Sequence, residues 1–218
     1  MEESFWHERW SRGEIGFHQH DYNAHMKAFL HRLEVPENGH ILVPLCGKSR
    51  DMLWLLNQGL RVTGVEINRQ AVVDFFSESG LQATVSRRGD AECFSHGDLQ
   101  IVRGDFFSAP SLGLEQADAV YDRASLVALP EGMREDYVQV LMHLLPRGRR
   151  SLLITLDYAQ PEMSGPPFSV APREVEQLFE RHCSIEEIHS EDCLAREPRF
   201  RKKGLSRLQE RVYMLQRT

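Results

Sequence analysis

The sequence predicts an α/β fold, a doubly wound and mostly parallel sheet with a helical cover ahead of it. Two observations carry this. Strand-like apolar runs alternate with helix-like segments from residue 40 to about 183, and such alternation gives a parallel sheet with helices on both faces. Residues 152–156 form an apolar run broken only by Thr155, as in a strand buried on both faces. The 218 residues contain no internal repeat, low-complexity stretch or long linker, which predicts one domain over 1–218.

The elements follow in order. Residues 4–33 carry Trp6, Trp10, Phe17, Phe29 and Leu30 among polar neighbours, and read as a helix, a Gly-containing loop and a second helix. Residues 41–44 form the first strand and run into Leu45-Cys46-Gly47-Lys48-Ser49. Met52, Leu53, Leu55 and Leu56 stand near helical spacing, and Gly59 stops that helix. A strand over 62–67 carries Glu66 at its end, and a helix over 71–79 ends at Gly80. Residues 83–103 suggest a hairpin turning at His96-Gly97-Asp98. A strand over 117–121 closes on Asp122-Arg123, and a helix over 133–145 stops at Pro146. After the strand at 152–156 comes a helix over 172–182, with Pro172 in its first turn. Strands at 184–188 and 211–215 have no helix pattern between them, so one of the two is expected to run antiparallel.

Composition removes several functions. The net charge is −6 and the pI about 5.9, against the concentrated basic face that nucleic acid needs. The longest apolar runs are four to six residues, far from the roughly 20 of a membrane span. The opening Met-Glu-Glu-Ser-Phe-Trp has no basic region followed by an apolar core, so no secretory signal is expected. Cys46, Cys93, Cys183 and Cys193 form no CxxC pair and have no His at zinc-ligand spacing. Reduced thiols, a cytoplasmic location and no metal are expected, and a monomer is the default.

Ligands on such sheets bind beyond the carboxyl ends of the strands, which directs attention to three constellations. The first joins the turn 43–49 to Glu66. A Gly in a strand-to-helix turn lets backbone approach a ligand, and an acidic strand end accepts hydrogen bonds from ribose hydroxyls. The turn holds one Gly, with Pro44, Leu45 and Cys46 where a pyrophosphate-binding turn places others. A nucleoside cofactor without pyrophosphate fits better, and S-adenosylmethionine is one. The second is Tyr121-Asp122-Arg123-Ala124, whose charges are either an internal ion pair or ligand contacts. The third is the group Trp6, Trp10, Phe17 and His18, either core packing or a lid. Gly165-Pro166-Pro167-Phe168 is either a plain loop or a pocket wall. The basic run 199–203 is either a solvated loop or an attractor of anions. No nucleophile elbow is present.

These residues together resemble the thiopurine S-methyltransferase family, particularly its bacterial members. Trp10 with Gly16-Phe17-His18-Gln19, Pro44-Leu45-Cys46-Gly47-Lys48-Ser49, Gly64-Val65-Glu66-Ile67 and Gly104-Asp105-Phe106-Phe107 carry the likeness, with Asp122-Arg123-Ala124, Gly165-Pro166-Pro167-Phe168 and Val212-Tyr213-Met214-Leu215. The resemblance implies a seven-stranded Rossmann-like methyltransferase sheet. It implies that Trp10, Leu45, Glu66 and Arg123 contact S-adenosylmethionine, with Asp105 and Phe106 on the adenine side. It places Phe17 and Arg199 at the substrate, and implies methyl transfer to aromatic or heterocyclic thiols, with selenium and tellurium compounds as further acceptors. No residue is assigned as a general base. A nicotinamide-dependent oxidoreductase, or a nucleoside-binding module without activity, on the same architecture are the rival readings.

Overall fold

A computed structural model describes residues 3–14, 18, 19, 21–89 and 91–218. Two helices, α1 (Glu3–Ser11) and α2 (Ala24–Phe29), precede the sheet. The next elements are β1 (His40–Val43), α3 (Asp51–Asn57), β2 (Arg61–Glu66) and α4 (Arg69–Glu78). Three strands follow without a helix, β3 (Thr84–Arg88), β4 (Ala91–His96) and β5 (Leu99–Arg103). The chain continues through β6 (Ala119–Arg123), α5 (Glu131–Leu144), β7 (Arg150–Asp157) and α6 (Pro172–Phe179). It closes with β8 (Cys183–Asp192), α7 (Pro198–Lys202) and β9 (Gln209–Arg217).

Among the described residues nine strands lie in the order β3-β4-β5-β2-β1-β6-β7-β9-β8. The expected seven are the run from β5 to β8, and two more are added beyond β5. β4 was legible as one arm of the hairpin at His96-Gly97-Asp98, which forms as expected. β3 was not. All five of its residues, Thr84–Arg88, are exposed, so it lacks the apolar alternation that marks a strand. Backbone pairing to β4 and a bond from the Arg88 guanidinium to Gly113 O hold it, and its two arginines suit a sheet edge. β9 runs antiparallel to both β7 and β8. Both final strands are longer than their apolar cores predict, because pairing continues through the polar residues of each.

Side chains alternate across the sheet, and the alternation sorts two cores. Leu42, Val120 and Leu153 face the layer containing Tyr137, Leu141 and Phe179 of α5 and α6. Ile41, Val43, Tyr121 and Ile154 face Met26, Met52, Leu55 and Phe75 of α2, α3 and α4. β1 lies between β2 and β6, so successive connections leave it in opposite directions. That reversal opens a crevice at the carboxyl ends of β1 and β6. Among the described residues, no helix is long and apolar enough to cross a membrane.

Candidate active site

The turn after β1 is drawn against β2. Cys46 N–H donates to Val65 O at 2.9 Å, and Gly64 makes the approach possible, since a Cβ there would meet Cys46 Sγ at 2.7 Å. Leu45 takes a left-handed conformation with φ 45°. A non-glycine residue held there costs on the order of 1 kcal/mol or more, the kind of local strain that clusters at ligand sites. Glu66 then ties both turns together. Its Oε2 accepts from Gly47 N–H at 2.8 Å and its Oε1 from Asn68 N–H at 2.7 Å. Burial raises its pKa, while the N–H groups of Asn68, Gly47 and Ile67 pull it back. Each oxygen keeps a lone pair for a further donor. Lys48 turns away to Glu78, 2.6 Å from Nζ to Oε1.

The end of β6 supplies the other half. Asp122 and Arg123 do not pair with each other, because neighbours on a strand face opposite sides. Asp122 accepts from Tyr137 OH at 2.6 Å and from Leu126 N–H at 3.3 Å. Arg123 Nε donates to Asp51 Oδ2 at 3.0 Å, beside Tyr121 OH at 2.9 Å on the same oxygen. Asp51 Oδ1 accepts from Asn23 N–H at 2.8 Å. Asp51 thus fixes β6, α3 and the segment before α2 at one point. Among the described residues no hydrogen-bonding group takes Arg123's two terminal nitrogens. Ala124 is left-handed, φ 62°, and Ser125 Oγ donates to Pro44 O at 2.7 Å. Two strained residues therefore flank the crevice, joined by one hydroxyl.

A cleft of about 440 Å³ opens over these turns. Trp10, Leu45, Glu66, Arg123 and Arg199 all line it, so five of the residues singled out in the sequence meet around one space. Pro166 and Pro167 form part of the wall. Arg199 is held by Glu197 at 3.0 Å and lies over the Phe200 ring, 4.7 Å from its centroid. Asp105 and Phe106 are not among the lining residues. Phe106 is buried against Tyr137, ring centroids 5.2 Å apart, and Asp105 accepts from Phe107 N–H at 3.1 Å. Burial takes the Phe106 side chain out of reach of a ligand in the cleft. Phe17, with Gly16, lies outside the described residues. Asp51 and Glu210, which also lines the cleft, were not singled out in the sequence, and Tyr121 was named there only within the run that closes its strand, not as a partner of Asp51. The cleft's two thiols are both held protonated. Burial pushes Cys46 well up, and pushes Cys193 to about 12.

Asp122 carries a pH dependence. Burial, partly offset by Tyr137 and Leu126, raises its pKa from 3.8 to about 6. The folded state therefore holds this proton more tightly than the unfolded chain. Its contribution is full below the unfolded value and is lost as pH rises through about 6. Asp122→Asn keeps both contacts if Tyr137 OH turns to accept. Relative to wild type, the variant is expected to gain about 1–3 kcal/mol in urea unfolding between pH 4 and pH 7.5. Parallel curves across that range refute the assignment.

The model of the thiopurine S-methyltransferase family matches residues 1–218. The chain is 43% identical over 217 residues to a thiopurine S-methyltransferase of Pseudomonas syringae pv. tomato, covering 100% of this chain and 99% of that one. A thiopurine S-methyltransferase of Xanthomonas axonopodis pv. citri is 44% identical, with complete coverage of both chains. Among solved structures, the fold is similar to a 1,6-didemethyltoxoflavin-N1-methyltransferase of Burkholderia thailandensis, with TM-score 0.63 and 17% identity, covering 98% of this chain and 86% of that one. A TehB-like methyltransferase of Corynebacterium glutamicum has TM-score 0.57 and 15% identity, covering 98% and 97%.

Proposed function

The chain belongs to the thiopurine S-methyltransferase family, and from that premise we propose that it transfers a methyl group from S-adenosylmethionine to aromatic or heterocyclic thiols, thiopurines among them. The observation that carries this is Glu66, at the end of β2, with both oxygens pinned by backbone N–H groups and its remaining lone pairs at the cleft. That carboxylate suits the two hydroxyls of a ribose. The turn facing it has Leu45 and Cys46 where pyrophosphate needs glycine, which disfavours a dinucleotide. We assign Trp10, Leu45, Glu66 and Arg123 to the nucleoside cofactor, with backbone at Asp105 and Phe106 on its adenine side. Phe17 and Arg199 are assigned to the acceptor, and selenium or tellurium compounds are further acceptors. The chain acts as one cytoplasmic domain and as a monomer.

Bound there, S-adenosylmethionine supplies a methyl group already activated by a positive sulfur, so the protein's task is alignment and exclusion of water. Arg123 is held by Asp51 and presents its fork to the cleft. With Arg199 it favours a thiolate over a thiol. Cys46 and Cys193, kept protonated, do not compete as methyl acceptors.

A weakly acidic alcohol needs a base to lose its proton as it attacks, whereas an acidic aromatic thiol is largely ionised near neutral pH. With labelled methyl donor, transfer to an aromatic thiol is expected and transfer to catechol is not. The rate follows the ionised fraction of the thiol as pH rises and then levels off. Methylation of catechol with a divalent-metal requirement overturns the proposal.

The cover is expected to tighten on binding. Of the described side chains of α1 only Trp10 is buried, and His7 Nδ1 lies 2.9 Å from Nδ2 of Asn68, the residue that caps α4. A short helix ahead of the sheet opens locally at smaller cost than the core strands. Hydrogen exchange over residues 6–14 should slow on adding S-adenosylhomocysteine. Equal protection in both states returns these aromatics to core packing.

A further inference from the structure

Two imidazoles and two carboxylates converge beside the cleft, where no local motif announces them. His25 stands on α2, His189 and Glu191 on β8, and Glu210 on β9. His25 Nε2 is 2.9 Å from Glu210 Oε2 and 3.5 Å from Glu191 Oε1. His189 Nε2 is 3.8 Å from Glu191 Oε1. The two rings lie 4.9 Å apart, and one ligand atom each from His25, His189 and Glu191 falls within 4.8 Å of the others.

Register makes this more than proximity. Glu191 and Glu210 are direct cross-strand partners, so two carboxylates sit opposite each other on one face. Like charges so placed are destabilising. Both are partly buried, with side chains 29% and 22% exposed. Arg196, 2.6 Å from Glu191 Oε1, answers one of the two charges. The register of β8 shifts between Glu187 and His189. Beyond that bulge, His189 and Glu191 stand two residues apart on the face that meets His25.

We propose that His25, His189, Glu191 and Glu210 bind a divalent transition-metal ion of the zinc type. Four ligands at about 2.0–2.2 Å in a tetrahedron stand about 3.3 Å from one another. His25, His189 and Glu191 already bring one ligand atom each within 4.8 Å of the others, and Glu210, 2.9 Å from His25 Nε2, joins them by side-chain rotation. Two imidazoles favour zinc over magnesium or calcium, which take oxygen donors. Two carboxylates balance its charge, and Arg196 shares Glu191 Oε1 with the ion or yields it. The ion braces α2, which follows the N-terminal cover, against the wall strand that carries Glu210. It stands apart from the methyl-transfer reading and is tested without measuring activity.

Full-length protein stripped with chelator is titrated with zinc against a chromophoric competitor, and with cobalt(II) while visible absorption is recorded. One ion per chain is expected, with the absorption of tetrahedral cobalt. His25→Gln with His189→Gln should weaken zinc binding at least about tenfold, the scale on which even outer partners of a metal matter. His143→Gln, exposed on α5, should leave affinity unchanged. If the double variant does not fold, His189→Gln alone, whose side chain is 37% exposed, carries the same expectation. No stoichiometric binding, or equal affinity in wild type and the folded histidine variant, overturns the proposal.

Discussion

Asp51→Ala is expected to cost about 3–5 kcal/mol of folding stability, the range for removing one partner of a buried ion pair. Asp51 is 1% exposed and Arg123 13%. Three donors converge on the carboxylate: Asn23 N–H, Tyr121 OH and Arg123 Nε. Without it, a largely buried guanidinium loses its directly bonded counter-charge, and a buried hydroxyl loses its acceptor. The cost is therefore that of stranded groups more than of one lost bond. The pair itself need not be net stabilising, and this separates the two ideas. Asp51→Ala combined with Arg123→Met removes both charges, so the double variant should be more stable than Asp51→Ala alone. Both should lose affinity for S-adenosylhomocysteine, because the fork at the end of β6 is misplaced in one and absent in the other. Urea unfolding of the three proteins decides it. A loss below about 1 kcal/mol for Asp51→Ala, the scale of a surface pair, refutes the central role assigned to this residue.

What the sequence made legible follows from distance along the chain. β1, β2, β6 and β7 carry apolar runs that local periodicity reveals. Glu66 and Arg123 were readable because each stands at the end of such a run. Gly47 was readable as a turn. Asp51 reads only as the first residue of a helix, and its role depends on a strand 70 residues later. That meeting exists because β6 docks on the free side of β1, a matter of strand order that no local pattern encodes. The cluster at His25 is an extreme case, joining residues 185 apart across a register set by a bulge. Phe106 shows the opposite failure. A motif located its turn, but its side chain was claimed by the core under α5, where a ring gains more from burial than it would at an open cleft. β3 stayed hidden for a third reason, since a fully exposed edge strand of mostly polar and charged residues has the composition of a loop.

Glu66→Gln is expected to weaken S-adenosylhomocysteine binding by about 1–3 kcal/mol, the range for hydrogen bonds to a charged group, or about 5- to 150-fold. Gln is close in shape, so the effect isolates chemistry. Glu66 offers two acceptors, and each already takes a backbone N–H, Gly47 on one side and Asn68 on the other. Gln has one acceptor oxygen, and its amide NH₂ must face the other N–H, donor against donor. One of the two turns that form the floor must therefore shift. The charge that would strengthen a bond from a ribose hydroxyl is lost as well. Titration calorimetry reads the change directly. The wild-type affinity should itself fall at acid pH, because the raised pKa of Glu66 lets it protonate above the usual glutamate value. The Gln variant, with nothing to protonate there, should show a flatter profile through that range. Unchanged affinity in the variant removes Glu66 from the cofactor site. Comparable binding of NAD by the wild type would favour the dinucleotide reading, which the Leu45-Cys46 turn argues against.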